Sequence, residues 1–282
     1  MPLIQKLVPE SQNKPEYSPF VLSILSGKGG VGKTTVATNL SSLLSAHCSR
    51  TLLVDADTGL ANAHILFGVQ PKLCLADFLI RNQPFEKVIE TVQQNLDVVS
   101  GANGIPSVGN LSKEKRQSLL HALKNVTHNY NTTVIDCPSG ISDNTLDFCQ
   151  ISDLNVIVLT EEPTSFINAY TTIKTVASLW EKRNIAVIIN YAKNKQQAQN
   201  LFLKFQDIVT RFLDIELKYL GCMHEDYNVC RAITCRKLLV DSLPNTRAAC
   251  DLLNIMCHLT SYTNHIQERT IKCTLTSENM TV

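Results

Sequence analysis

The stretch Ser26–Asn39, which reads SGKGGVGKTTVATN, decides the fold of this chain. Four of its residues have the P-loop spacing G-x-x-x-x-G-K-[ST], namely Gly27, Gly32, Lys33 and Thr34. An apolar run at residues 20–25 precedes the stretch and predicts a buried parallel strand. Apolar residues at helical spacing follow it between positions 36 and 44. Strand, glycine-rich turn and helix therefore come in the order that a phosphate-binding loop needs.

This turn predicts a site for the phosphates of a nucleotide. Glycines let backbone amides approach phosphate oxygens and adopt the positive φ angles of an anion-binding nest. A helix that starts near Lys33 adds unpaired N–H groups and a positive dipole end. We expect Lys33 to neutralise the β- and γ-phosphates and the Thr34 hydroxyl to ligate Mg²⁺. The predicted nucleotide contacts are Gly27, Lys28, Gly29, Gly30, Val31, Gly32, Lys33, Thr34 and Thr35.

Short apolar strands alternate with helical patterns along the rest of the chain. The predicted strands cover residues 20–25, 51–54, 96–99, 132–135, 155–159, 186–189 and 217–220. The predicted helices cover residues 75–80, 85–92, 113–128, 196–213, 228–233 and 248–259, and another begins at Pro163. The alternation predicts an α/β three-layer sandwich with a mostly parallel central sheet. We predict a flexible lead-in at 1–18, one domain at 19–260 and a polar, loose tail at 261–282.

Composition excludes several classes of protein. The formal net charge is +1, so no overall field steers the chain to nucleic acid or anionic lipid. Its ten cysteines are scattered without C-x-x-C spacing, which does not fit a zinc site. No secretory leader and no apolar run of membrane-span length is present in the sequence. We therefore expect a cytoplasmic protein with reduced thiols.

Polar side chains end four of the predicted strands. Asp55 and Asp57 follow one strand, and Asp136 and Asn190 close two others. Parallel strands present their carboxyl ends at one edge, so we expect these residues to gather around the P-loop. Asp136 has the position of a Walker B acid that holds Mg²⁺, although such an acid can instead cap a loop or helix. Spacing alone leaves open whether Asp55 or Asp57 orients the attacking water and which one supports Mg²⁺.

The P-loop contains a second lysine, Lys28. Two lysines this close repel each other unless polyphosphate holds them. The motif KGGVGKTT resembles the deviant Walker A motif of the MinD/ParA class, whose extra lysine reaches the nucleotide of a partner subunit. Residues 54–62 resemble switch I of the MinD-like ATPases, and this resemblance gives Asp57 the attacking water and Asp55 a supporting role for Mg²⁺. Residues 136–140 resemble their switch II, D-x-P-x-G.

A narrower resemblance comes from residues 160–174, TEEPTSFINAYTTIK. This segment is similar to a run in the FlhG (also FleN) branch of the same class. The resemblance spans residues 19 to 255 and implies the P-loop NTPase fold of the SIMIBI class. It also implies ATP and Mg²⁺ as cofactors and an ATP-dependent homodimer in which Lys28, Lys33 and Asp57 act in ATP hydrolysis. Asn190 matches the position that reads adenine in the class.

The implied function is a molecular switch that controls the number and placement of flagella. The partners implied for that branch are an FlhF-like GTPase, flagellar C-ring proteins and, in some lineages, a flagellar transcription activator. Three departures qualify the likeness. Residues 1–18 lack the D-Q-A-x-x-L-R motif, the tail is not basic enough to predict membrane docking, and His224-Glu225-Asp226 replaces a loop that usually has a proline. That loop flanks adenine in the class, so His224 and Glu225 are predicted base contacts.

Three other functions come into question from the sequence. An iron–sulfur carrier or reductase-type relative shares the deviant loop, but the lack of paired cysteines argues against it. A ParA- or MinD-type partitioning or positioning ATPase would use DNA or a membrane as its partner. The net charge gives no strong sign of direct nucleic-acid binding, and any membrane contact is expected at the inner face of the cell membrane through partners. A scaffold that binds ATP without turnover would keep the same fold.

Overall fold

A central sheet of eight strands organises the molecule. The computed structural model describes residues 18–47, 49–57, 62–101, 111–180 and 184–278, and the side chains of Trp180 and residues 264–278 are outside this description. The strands are β1 (Phe20–Leu25), β2 (Thr51–Asp55), β3 (Ile89–Gln93), β4 (Leu96–Val99), β5 (Thr132–Asp136), β6 (Leu154–Leu159), β7 (Ile185–Ala192) and β8 (Lys218–His224). Their order is β3-β4-β2-β5-β1-β6-β7-β8. All neighbouring pairs are parallel except β3 with β4.

Ten α-helices lie within the described residues. They are α1 (Lys33–Ala46), α2 (Ala63–Leu66), α3 (Leu75–Leu79), α4 (Lys113–Thr127), α5 (Asp143–Ile151), α6 (Pro163–Trp180), α7 (Lys195–Leu213), α8 (Tyr227–Thr234), α9 (Leu239–Ser242) and α10 (Arg247–Glu278). A 3₁₀ turn covers Phe85–Val88. Helices α3 to α7 contribute to one hydrophobic core and α1, α2 and α8 to α10 to another. The predicted three-layer α/β sandwich is confirmed.

Strand β1 shows how the sequence produces this layering. All six of its residues are buried, and successive side chains point to opposite faces. Leu22 and Ile24 pack into the core that contains α1, whereas Val21 and Leu25 pack into the other. A strand buried on both faces needs an almost continuous apolar run, and β1 provides one with FVLSIL.

Two predictions at the edges of the sheet are wrong, one in the type of element and the other in the position of a strand. The predicted helix at 85–92 is a 3₁₀ turn followed by strand β3, whose hydrogen bonds come from an antiparallel pairing with β4. This pairing is a tertiary contact that the local spacing of apolar residues does not reveal. The strand at 217–220, which the sequence predicts as a central strand, is β8; it continues to His224 and forms the other edge of the sheet.

Differences among the helices are of three kinds. Helices α2, α5 and α9 have no counterpart among the predicted helices. Helix α10 continues to Glu278, well beyond the predicted end at 259. In α7, the helical spacing of Phe202, Phe205, Val209 and Phe212 predicts one buried stripe; the first three are buried, but Phe212 in the last turn is 67% exposed. Among the described residues, no helix combines the length and apolar character needed to cross a membrane.

Candidate functional site

The loop between β1 and α1 is shaped as an anion-binding turn. Gly30 and Gly32 have φ angles of 81° and 86°, in the left-handed region that favours glycine. Gly32 is the N-cap of α1 and offers no side chain to the first turn of the helix. Because an α-helix leaves its first N–H groups without partners inside the helix, these donors are available to a bound anion. The turn can therefore bind phosphate through its backbone.

Helix α6 packs closely against the start of this loop. A Cβ atom built on Gly27 would lie 2.3 Å from Cβ of Asn168 and 2.8 Å from the backbone nitrogen of Ala169. Real Cβ atoms are not found at such distances, so only glycine fits at this position. The P-loop and the beginning of α6 therefore form one tightly packed unit.

Lys33 lies beneath the loop in a buried ion pair with Asp136. Its Nζ donates to Oδ1 of Asp136 at 2.7 Å, and the two side chains are 8% and 0% exposed. Burial on its own would lower the pKa of the Lys33 ammonium, but the charge and hydrogen bond of Asp136 outweigh burial and raise it. The lysine therefore carries a positive charge at the place where phosphate is expected.

A second buried carboxylate lies beside this pair. Asp55 and Asp136 are register partners at the ends of β2 and β5. Asp55 accepts hydrogen bonds from the backbone N–H of Asp57 at 3.2 Å and of Ala63 at 3.0 Å. Burial, and next the charge of Asp136, raise the pKa of the Asp55 carboxyl to about 7. Two neighbouring buried acids are costly to keep charged unless cations lie beside them.

This arrangement fits a magnesium ion. Oδ2 of Asp136 is buried and has no hydrogen-bond partner within the described part of the chain. Thr34, the second residue of α1, is half-buried. Mg²⁺ in nucleotide sites takes one or two carboxylates and completes its shell with phosphate oxygens and waters. Asp136, Asp55 and Thr34 supply that kind of donor set, and the charge of the ion would compensate the two acids.

Both switch segments interact with the P-loop, switch I through charge and switch II through a hydrogen bond. Asp57 lies half-buried beyond β2, and its charge contributes to raising the pKa of Lys33. Residues 58–61, which belong to the predicted switch I, lie outside the described residues. In switch II, the N–H of Gly140 donates to the carbonyl of Ser26 at 2.9 Å, at a φ of 79°. If the Gly140 amide contacted the γ-phosphate, as a switch II glycine can, that contact would replace this bond.

Lys28 has a surface environment that differs from that of Lys33. Its Nζ forms an ion pair with Oε2 of Glu162, the residue that precedes α6, and the two side chains are 43% and 60% exposed. The sequence pattern alone does not identify Glu162 as a partner of Lys28. The run Glu161-Glu162-Pro163 at the start of a helix could have indicated it, because such acids lie near the P-loop when strand ends share one edge.

Asn190 and its neighbour Tyr191 also contact the P-loop. Asn190 was predicted at the end of a strand, but β7 continues through it to Ala192. Its Nδ2 donates to the carbonyl of Val31 at 2.7 Å, and the Tyr191 hydroxyl donates to the carbonyl of Gly30 at 3.3 Å. The adenine contact of Asn190 stays a prediction. Tyr191 was missed, because successive residues of a regular strand point to opposite faces and only the register shift beside β8 brings both side chains to the loop.

The two residues predicted from the loop after β8 lie in different surroundings. His224 is the last residue of β8 and is buried, with Nδ1 2.6 Å from Oδ2 of Asp251 on α10. Glu225 is exposed, and its backbone N–H donates to the carbonyl of Ala192. The base contacts predicted for both stay predictions, and the His224 ring is held by Asp251.

Comparison with known proteins places this site in a family. Residues 20–189 match the family model described as an AAA domain. The chain is 32% identical to the antiactivator FleN of Pseudomonas aeruginosa over 81% of this chain and 82% of that protein. It is 27% identical to the flagellum site-determining protein YlxH of Helicobacter pylori over 79% and 76% of the two chains. The structure of the septum site-determining protein MinD with Mg-ADP from Pyrococcus horikoshii superposes with a TM-score of 0.70, at 23% identity over 84% of this chain and 94% of that one.

The match with FleN and the geometry of the P-loop point to the same conclusion. Two lysines lie in the loop, one in a buried pair with the acid that ends β5 and the other exposed at the surface. The chain therefore belongs to the MinD/ParA-type family of P-loop ATPases with a deviant Walker A motif, in the branch that contains FleN.

Proposed function

We propose that this protein is an ATP-dependent dimerising switch that hydrolyses ATP and regulates the number and placement of flagella. The observation that carries the proposal is the P-loop site itself, in which Lys33 and Asp136 pair beneath an anion-binding turn while Lys28 remains at the surface. The flagellar role is supported by the relatives, an antiactivator named FleN and a flagellum site-determining protein. The ParA- or MinD-type positioning role fits the same fold with less support from the relatives.

The residues have separate tasks in the proposed hydrolysis. Backbone N–H groups of residues 27–35 bind the triphosphate of ATP, and Lys33 neutralises its charge. Thr34 and Asp136, with support from Asp55, would hold Mg²⁺, which would further neutralise the phosphate oxygens. Asp57 orients the attacking water, since phosphoryl transfer depends more on positioning than on a strong base. The MinD relative from Pyrococcus horikoshii holds Mg-ADP, which supports this choice of cofactors.

In the proposed dimer, Lys28 contacts the phosphates that the second protomer binds. Its ammonium is at the surface and bound to an equally exposed carboxylate, so it can exchange that partner for the phosphates of a second protomer. Hydrolysis removes the γ-phosphate and with it part of the attraction that holds the dimer. In the flagellar setting the ATP-bound dimer would engage an FlhF-like GTPase, C-ring proteins or a transcription activator. We place the protein in the cytoplasm, with any membrane contact made through these partners.

The decisive experiment measures the oligomeric state by light scattering with Mg-ADP and with Mg-ATP, for the wild type and the Asp57→Ala variant. We expect a monomer with ADP, a dimer with ATP, and a longer-lived dimer in the variant, because it binds ATP without hydrolysing it. Phosphate release should be lost in the variant. A monomer in every state, with no phosphate release by the wild type, would contradict the switch.

A further inference from the structure

Strand β7 contains an irregularity beside the P-loop. Its pairing with β8 changes register between Ile189 and Ala192, so Asn190 and Tyr191 lie outside the regular ladder. Tyr191 has a φ of 56°, in the left-handed region that a residue with a side chain rarely adopts. Its N–H donates to Oδ1 of Asn190 at 2.8 Å, which helps to hold this conformation. Irregularities of this kind redirect side chains that a regular strand would point elsewhere.

The irregularity directs both side chains to consecutive carbonyl groups of the P-loop. Asn190 Nδ2 donates to Val31 at 2.7 Å, and the Tyr191 hydroxyl donates to Gly30 at 3.3 Å. The approach is close, because a Cβ atom on Gly32 would lie 2.2 Å from Asn190 Nδ2 and 3.6 Å from the Tyr191 hydroxyl. The two residues therefore hold the loop from one side.

The geometry of the peptide group determines how these two hydrogen bonds orient the backbone N–H groups of the loop. In a trans peptide the C=O and the following N–H point in opposite directions, and no cis peptide occurs among the described residues. A Gly30 carbonyl that faces Tyr191 turns the N–H of Val31 to the opposite side of the loop. In the same way, a Val31 carbonyl that faces Asn190 turns the N–H of Gly32 away from β7. These two N–H groups belong to the turn that binds phosphate.

We propose that Tyr191 is a positioning residue for the triphosphate and acts with Asn190 by orienting the amides of Val31 and Gly32. This inference rests on the proposed nucleotide binding and adds a residue that acts on the phosphates instead of the base. Asn190 then has a task in the P-loop besides the adenine contact predicted for it. The Tyr191 ring is 44% exposed, so loss of its hydroxyl changes the loop with little effect on the core.

The test compares Tyr191→Phe with the wild type in binding two probes, Mg-ATP and inorganic tripolyphosphate with Mg²⁺, by titration calorimetry. Loss of one hydrogen bond to the loop should weaken both probes by the same factor, about two- to tenfold. Tyr227→Phe is the matched control, because Tyr227 lies on the neighbouring α8 and is 82% exposed. The control should bind both probes as the wild type does.

The other possible results of this titration would each contradict the inference in a different way. Weaker binding of ATP with unchanged binding of tripolyphosphate would show that Tyr191 acts on the base and would overturn the inference. Unchanged binding of both probes, with or without a lower melting temperature, would show a purely structural role and would overturn it as well. A wild type that binds neither probe would overturn the proposed function and this inference together.

Discussion

The two lysines of the P-loop lie five positions apart and have opposite environments. Lys33 is buried and paired with a fully buried carboxylate, whereas Lys28 and its partner Glu162 are largely exposed. Buried pairs lose their solvation and are costly to break, while exposed pairs contribute little and exchange partners easily. Lys33 is therefore held in one position in the site, whereas Lys28 can change its ion-pair partner. The comparison predicts different results for substitutions at the two positions.

The largest effect is expected from Lys33→Ala. Removing the ammonium leaves the charge of Asp136 buried without its partner, which should lower the free energy of unfolding by about 3 kcal/mol or more. ATP binding should also be lost. Urea unfolding measures the first effect and calorimetry the second. The double variant Lys33→Met with Asp136→Asn should recover part of the stability but none of the binding, and a single variant as stable as the wild type would contradict the assignment of a fixed pair.

Unlike Lys33→Ala, Lys28→Ala should leave stability and ATP binding nearly unchanged and should weaken the dimer. Its side chain is exposed, so the free energy of unfolding should stay within about 0.5 kcal/mol of the wild type. ATP binding to the monomer should persist, but the ATP-dependent dimer should weaken at least about tenfold, since each protomer loses a charged hydrogen bond. Analytical ultracentrifugation with Mg-ATP measures this constant. An unchanged dimer would show that Lys28 does not cross to the partner.

The smallest effect is expected from Glu162→Gln. Glu162 competes with phosphate for Lys28, so the substitution should strengthen the ATP-dependent dimer by about two- to tenfold. Glu161→Gln is the matched control, because it removes the same charge one residue away from the ion pair. The difference between the two variants should shrink when the salt concentration is raised, since salt screens exposed charges. A weaker dimer in Glu162→Gln would mean that Glu162 presents Lys28 to the partner instead of withholding it.

The sequence was sufficient for the parts of the molecule that depend on local pattern. The P-loop, α1 and most central strands were predicted because both faces of the sheet are buried and the glycines have a fixed spacing. The acids at the ends of β2 and β5 were predicted to meet, and the structure brings Asp55 and Asp136 together as register partners. Parallel topology alone is enough for that inference.

The features that could not be predicted depend on contacts between residues that are far apart in the sequence. The spacing of apolar residues at 85–92 predicts a helix, but residues 89–93 form strand β3 because they pair with β4. The burial of His224 follows from Asp251, which is 27 positions away on α10. The pairing of Lys28 with Glu162 spans 134 positions, and the irregularity at Tyr191 follows from its register with β8. None of these contacts leaves a periodic signal in the sequence.

The tight packing of Gly27 against Asn168 has a consequence for regulation. Ile167, the residue before Asn168, is 63% exposed on the first turns of α6, so this end of the helix is accessible from solvent. Without free space between helix and loop, a displacement there must be passed to the P-loop. Hydrogen exchange of the P-loop amides, with and without a bound partner, would detect it. If a molecule bound at the start of α6 and displaced it, the P-loop would therefore have to move as well, and the affinity for ATP would change.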